Sequence, residues 1–568
     1  MKSIKLNADL CVIGGGMSGI CVAISAARKG VKVILIHDRN VLGGNASSEI
    51  RMWPRGVSTH FPEYREGGLI EEIALDNMHY NPEMNYSLFD AVLYNKVISE
   101  KNIKLLLGTT CMGAKCENGK IKYIKAWQLA SYNTFNVSAE YFADCSGDCV
   151  LSEFTNALTM QGRESKKDYG EPHAKDVKDN KTMGNSCLFQ LRKTDKQVSN
   201  TPFPFENKPD QNSLNKRINF NNTDFTCQNF WWLELGGNKD ALKDADKINH
   251  ELISLAFGTY SQMVEATQGK SGWTLDWVGF LAGKRETRRY VGDYVLTEND
   301  LINATPFNDE IAYGGWSLDD HNPDGFYGTE PNVKTILKAP YPIPYRVVYS
   351  KNIDNLFFAG RNVSVTHLAL SSTRVIITCC VIGQAVGNAV AIAKKYGVSA
   401  REVGQKYIDE LQQEILFDDL MLLSTKRNQT IKFSNGIERD LNGEQNGKIL
   451  DLGQEISFPI KKTYCKYIRF IFDSDFLRKE TQHPKLKNFP LTCYKNCGEV
   501  SVKTPSSLVK NFTVKVKCNG TIKTIKVKDN FQRLVLIPIN AEVEELSFCA
   551  EETHGSQKAK IFSIDITK

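Results

Sequence analysis

Two stretches of the chain hold side chains that could do chemistry. In RNVSVTHLALSSTRV (residues 361–375), His367 could take a hydroxyl proton near neutral pH, since a free imidazole titrates at about 6.5. Arg374 on the following turn could hold an oxyanion or a carboxylate. In IAYGGWSLDDHNPDGFYG (residues 311–328), Trp316, Asp319, Asp320 and His321 fall in one loop-like run. Aromatic faces beside carboxylates suit a sugar, whose C–H faces pack on the ring while the acids take its hydroxyls. A surface turn at Asn322–Gly325 accounts for part of that run without any function. His367, Arg374 and His321 are the catalytic candidates. FWWLELGG places Trp231 and Trp232 as pocket walls or, more simply, as core aromatics. RETRRYVGDY gathers Arg285, Arg288 and Arg289 beside Glu286 and Asp293, a pattern read as ion pairs before it is read as an anion receptor.

The elements that must position these groups begin at the N-terminus. ADLCVIGGGMSGICVAISAARKGVKVILIHD contains a strand over residues 10–13, a glycine turn, a helix over 18–29 stopped by Gly30, and a second strand over 31–36. A strand before the glycines, a helix after them and an acid further on make this a dinucleotide-binding unit. Gly14 allows the tight turn, Gly16 the approach of a pyrophosphate, and Gly19 close helix-on-strand packing, with the helix N-terminus favouring phosphate charge. His37 takes the place where a ribose-binding acid usually ends the second strand, so that role is expected of Asp38, with Arg39 and backbone groups as the alternative. The motif alone leaves NAD and FAD open. Three further stretches decide for FAD: the Gly43-Gly44 turn, the YFADCSGDCV strand-and-turn, and NLFFAGRN leading into a long small-residue helix. The slot after Gly44 reads Asn45, Ala46, Ser47, Ser48, Glu49, without a cysteine pair. Hydride is therefore expected to pass directly between substrate and flavin. Asn45, Ser47 or Ser48 could equally cap the next turn.

These blocks resemble the FAD-dependent oxidoreductase family, related in fold to glutathione reductase and the succinate dehydrogenase flavoproteins. More narrowly they resemble a bacterial subfamily marked by LGGNASSEIRM, the Asp-x-Ser-Gly-Asp turn, QGRESK, GKRETRRYVGDYVLT and AGRNVSVTHLALSSTRV, in order over about residues 8–400. The resemblance implies an FAD site built from Gly14, Gly16, Gly19, Asp38, Arg39, Gly43, Gly44, Asn45, Ser48, Arg51, Gly147, Asp148, Gly360, Arg361, Gly383 and Gln384. In it, Gly360, Arg361 and the Gly383-Gln384 region embrace the ribityl chain and flavin ring. A histidine tether to FAD through His60 or His79 stays open.

Composition bounds the rest. A chain of 568 residues exceeds a single ordinary core. With 41% apolar and 24% charged residues it is neither disordered nor collagen-like. The net charge of +6 is spread along the chain, so no nucleic-acid footprint is evident. Fifteen cysteines without a C-x-x-C pair suit a reducing compartment. Cys493 and Cys497 lack a second ligand pair, and no metal site is expected. The N-terminus shows no secretory pattern, and no run is long and apolar enough to span a membrane, so a cytoplasmic protein is expected. From about residue 429 short alternating runs between turn residues indicate a β-sandwich, as a glycan-binding module or as a structural or oligomerisation unit.

The expected architecture is α/β: a glutathione-reductase-type FAD-binding unit over residues 1–165 and 346–428, an inserted substrate unit over 166–345, and an accessory sandwich over 429–568. The expected activity is hydride transfer between a small-molecule alcohol, a sugar or glycoside, and FAD, with an acceptor the sequence does not name. The alternatives are redox-neutral elimination or glycoside cleavage, fumarate-reductase-like reduction of an unsaturated acid, and a non-catalytic glycan-binding flavoprotein.

Overall fold

The structure, a computed structural model, describes residues 2–218, 225, 229–268, 272–330, 332–428, 447–475, 478, 480, 491 and 502–567. Cys493 and Cys497 lie outside the described residues. The centre is a seven-stranded sheet in which β1 (Ser3–Ile13), β2 (Val33–Ile36) and β3 (Ile103–Leu106) run parallel in the order β3-β2-β1. β4 (Thr109–Glu117), β5 (Lys120–Gln128) and β6 (Thr134–Asp144) form an antiparallel meander. β6 then continues beside β1 in parallel, Leu10 opposite Tyr141 and Ile13 opposite Asp144. The Leu356–Phe358 strand adds to β6 on its other side, also parallel. A parallel strand must be covered on both faces, and Leu10–Ile13, Val33–Ile36 and residues 141–144 are all buried and, Asp144 apart, apolar.

Helix α1 (Met17–Arg28) starts immediately after the glycine turn, and all of its residues except Arg28 are buried. It packs along the Ile376–Tyr396 helix through small side chains. A Cβ at Gly383 would meet the carbonyl oxygen of Ser18 at 2.4 Å, and one at Gly387 the carbonyl oxygen of Val22 at 2.6 Å. The Ile376–Tyr396 helix corrects one expectation: by length and composition it could cross a membrane, yet 89% of its most apolar window is buried inside the protein. Its apolarity is that of a core helix surrounded on all sides.

Residues 185–278 build a separate apolar cluster in which the Ala245–Ala266 helix packs on Phe189, Phe230 and Trp273. The C-terminal strands form one six-stranded antiparallel sheet. Runs read as separate strands in the sequence, RLVLIPI and EELSFCA, belong to one twenty-residue strand, Leu534–Thr553. Its pairing with Glu455–Phe472 shifts register twice, which lets so long a strand bend.

Candidate active site

A cavity of about 1240 Å³ opens between the glycine turn and the segments that follow β6 and the Leu356–Phe358 strand. That exceeds the ~300–1,000 Å³ usual for one drug-sized ligand, a volume in keeping with a dinucleotide. Its floor is two hydrogen-bonded turns. Gly14 has φ +106°, and a Cβ there would lie 2.5 Å from the carbonyl oxygen of Cys145. Gly43, with φ +105°, donates its N–H to the Gly15 carbonyl at 2.9 Å. The Gly16 face is open, since a Cβ would meet nothing nearer than Gly44 Cα at 3.8 Å. His37 is buried under this floor, with Nδ1 accepting from Gly15 N–H at 3.0 Å. Asp38 beside it lines the cavity with a largely exposed carboxylate. Arg39 braces the second turn, reaching Gly44 O at 3.4 Å and Glu49 at 3.3 Å.

The turn beside Gly14 leads to Asp148, whose Oδ1 accepts from Arg361 Nη2 and whose Oδ2 accepts from Lys284, both at 2.7 Å. Burial pushes the Asp148 carboxyl up, but Arg361 and Lys284 outweigh it and hold the group below its ordinary range. Behind it, Asp144 accepts from Ser146, Leu151 N–H and Tyr290, which fixes the turn between β6 and Asp148. The first residues of the Ile376–Tyr396 helix also line the cavity, so its positive end faces in. Ser18 Oγ and Arg361 Nε are buried in the cavity lining without a partner. An open glycine face, two helix N-termini and unsatisfied donors fit a dinucleotide with a pyrophosphate and a ring that takes on negative charge when reduced.

The other end of the cavity is aromatic and charged, with Trp53, Trp231 and Trp316 beside Asp319, His321 and Arg374. His321 Nδ1 lies 2.6 Å from the buried carboxylate of Glu234, and Nε2 lies 3.3 Å from Asp319. Glu234 is also paired with Arg285 at 3.4 Å. Burial raises Glu234, and Arg285 and His321 together bring it below the usual carboxylate range. Asp319 is raised by burial and then held well below that range by the His321 hydrogen bond and charge, with Arg374 and Lys334 adding to it. Arg374 donates to the Asp319 carbonyl at 3.1 Å. Asp319 and Asp320 sit on a short strand, Leu318–Asp320, paired with Val333–Thr335, where the sequence suggested a loop.

Residues 9–415 match the family described as FAD dependent oxidoreductase. The chain belongs to that family. It is an FAD-dependent oxidoreductase. No curated protein sequence matches it. Among solved structures it is similar to a geranylgeranyl bacteriochlorophyll reductase-like protein from Thermoplasma acidophilum, at 13% identity and TM-score 0.32 over 73% of this chain and 86% of that one. It is similar also to E. coli quinol fumarate reductase, at 12% and 0.29 over 73% and 78%. The myxobacterial chondrochloren halogenase gives 10% and 0.33 over 72% and 80%.

In this oxidoreductase the cavity is lined by Gly14, Gly16, Asp38, Arg39, Gly43, Gly44, Asn45, Gly147, Asp148, Gly360 and Arg361 of the residues the sequence put forward for FAD. Gly19 is at the helix–strand contact, where a Cβ would be 1.9 Å from Gly14 O. Four others turn elsewhere. Ser48 N–H donates to Asp90 at 3.1 Å, and Arg51 stacks between Trp277 and Tyr86 while donating to Gln190 at 2.6 Å. Gly383 lies against α1, and Gln384 accepts from Leu69 N–H at 2.7 Å, away from this cavity. The residues that do line it, Arg374 and Val375 just before the helix and Ile376 and Cys379 within it, lie one to about two and a half turns earlier.

His367 also departs from the role suggested for it. It is buried outside the cavity lining, with Nδ1 2.9 Å from Glu286 and Nε2 2.9 Å from Asp320. Burial lowers its pKa, but the two carboxylates outweigh that and raise it to about 10. An imidazolium with both N–H groups engaged does not accept a proton at neutral pH. The network runs on through Arg289, which is fully buried against Glu286 and Glu164, while Glu164 accepts from His367 N–H at 2.8 Å. The arginine cluster is thus ion-paired, Arg288 to Glu153 and Arg285 to Glu234 included. Trp232 joins the second apolar cluster, whereas Trp231 lines the cavity. His60 packs on Trp316 at 5.3 Å, and His79 stacks on Phe531 at 3.9 Å. Sequence reasoning missed Glu234, Lys284 and Trp53. Glu234 lies within FWWLELGG, where the paired tryptophans drew the reading, and only the fold brings it to His321, 87 residues away.

Proposed function

We propose that this flavoenzyme oxidises a hydroxyl-bearing small molecule with a sugar-like ring, with His321 as the proton acceptor. The observation that carries this reading is His321 on the wall of the same cavity as the Gly14–Gly16 turn, with the buried Glu234 carboxylate 2.6 Å behind its Nδ1. When bound, FAD supplies the two-electron acceptor for hydride. The protein supplies the rest. Glu234, buried and held as a carboxylate, accepts the Nδ1 hydrogen of His321 and so fixes the ring, which makes Nε2, 3.3 Å from Asp319 at the cavity wall, the nitrogen that exchanges a proton with a hydroxyl. Asp319 sits beside Nε2, where it stabilises the imidazolium once the proton has moved. Trp53, Trp231 and Trp316 offer apolar faces for the C–H side of a pyranose.

The His367–Asp320–Glu286 cluster then serves as a positioning element, anchoring the short strand that presents Asp319 and His321. In this reading residues 166–345 are the substrate unit, and the site we assign to FAD is the lining set named above together with Ser18 and Lys284. Anaerobic mixing of the FAD-loaded protein with a panel of aldoses, uronates and glycosides tests the proposal. Bleaching of the flavin by a sugar, slowed in His321→Gln and Glu234→Gln, is the expected result. Bleaching that both variants leave unchanged removes His321 from the chemistry.

A further inference from the structure

The charges at the substrate end do not cancel. Glu234 is taken up by Arg285 and His321. That leaves Asp319 as the acid facing Arg374 and Lys334. Lys334 stands directly opposite Asp319 in the two-strand ladder, so both side chains leave the same face, and Lys334 lines the cavity. No carboxylate among the described residues lies within ion-pair distance of Lys334. Arg374 reaches the Asp319 carboxylate only at 3.9 Å and spends one Nη2 hydrogen on a carbonyl, while its Nε is buried without a partner. Arg374 and Lys334 thus flank the Asp319 carboxylate, which His321 Nε2 also approaches at 3.3 Å, in a partly enclosed, aromatic-walled space. Burial keeps the Arg374 guanidinium below its usual range, with Arg285 adding repulsion, even though Asp319, Glu234 and Glu286 all act to raise it, so a negative charge placed directly on the guanidinium would be favourable.

We propose that Arg374 and Lys334, on either side of Asp319, form a subsite for a substrate carboxylate, so that the preferred substrate is an acidic sugar of the uronic acid type. The inference rests on the sugar reading above and specifies it. The guanidinium fork matches a planar carboxylate, and Lys334 adds a point charge. Two cations beside Asp319 suit a monoanion, whereas a phosphate dianion would bring more charge against the Asp319 carboxylate.

The test is isothermal titration of the FAD-loaded protein with D-glucuronate, D-galacturonate, D-glucose, D-galactose and succinate, with anaerobic flavin bleaching recorded on the same samples. The uronates are expected to bind at least about tenfold more tightly than their neutral counterparts, the size of one charge-assisted contact. That preference falls to about threefold or less in Arg374→Gln and in Lys334→Gln, and Arg374→Lys recovers part of it. Lys334 is exposed, so its variant keeps the fold, which the flavin absorbance per protein verifies. Equal binding of acid and neutral sugars, no binding of any uronate, or a preference untouched by both variants overturns the subsite. Succinate binding as tightly as glucuronate overturns the sugar ring. Uronate preference without bleaching by any sugar keeps the subsite and refutes the hydride-transfer reading, so the two failures are separable.

Discussion

His367 makes a sharp stability prediction because its two ring nitrogens face two different carboxylates, the buried Glu286 and the half-buried Asp320. Its pKa rises from 6.5 in the unfolded chain to about 10 in the folded one. Below about pH 6.5 both states bind the proton and the full stabilisation is present. Between 6.5 and 10 the folded protein keeps a proton the unfolded chain has released, so stability falls as pH rises, and beyond about 10 the contribution is gone. The shift corresponds to about 5 kcal/mol, in line with the ~3–5 kcal/mol lost when one partner of a buried ion pair is removed. For 568 residues melting together, an unfolding entropy of about 2.1 cal/mol/K per residue turns this into about 4 °C of melting temperature. His367→Gln keeps the shape and one hydrogen bond but removes the charge. Thermal melting of both proteins with saturating FAD, at pH 6, 7, 8, 9 and 10, is expected to show a gap of about 3–4 °C at pH 6–7 that closes toward pH 10. A gap independent of pH would refute the imidazolium bridge and leave only a packing role.

Gly14→Ala forces a methyl against Cys145 O at φ +106° and is expected to cost about 2 kcal/mol or more, seen as a lower melting temperature of the apoprotein. Gly16→Ala meets only Gly44 Cα at 3.8 Å, so the fold should persist while FAD affinity, measured by flavin fluorescence, falls about tenfold through loss of the open phosphate face. His321→Gln should slow anaerobic flavin reduction by about 10²–10⁴-fold, with Glu234→Gln lowering it less and altering its pH profile. Asp148→Asn removes the charge that Arg361 and Lys284 share and should weaken FAD binding, read as faster flavin loss on dilution.

Much of the fold was legible because its signals are local. A strand, a glycine turn and a helix within thirty residues each constrain the next, and Gly14, Gly16 and Gly43 follow from backbone geometry alone. Facing could not be read in the same way. Ser48 and Arg51 lie in the right turn but point to Asp90, Gln190 and Trp277, because a 3-10 turn at Gly44–Ala46 rotates the chain beyond it. Gly383 and Gln384 share a helix with cavity residues, but one to about two turns further on their side of the helix is pressed against α1 and Leu69. The motif QGRESK shows its reason only in three dimensions: Glu164 carries the link from Arg289 to the backbone of His367. Histidine chemistry was expected at His367, whose two carboxylate partners raise its pKa, the wrong direction for a base. His321 differs because one of its carboxylates is buried behind it and the cavity is in front.

Oxidation of a sugar at this site is best probed by the rate at which the bound molecule reduces the flavin without oxygen, in wild type and His321→Gln, with the substrate protiated and deuterated at the reacting carbon. Bleaching should slow on deuteration and slow again in the variant. Bleaching indifferent to both changes, or a cofactor that no hydroxylated substrate reduces, would rule out hydride transfer from a hydroxyl activated by His321.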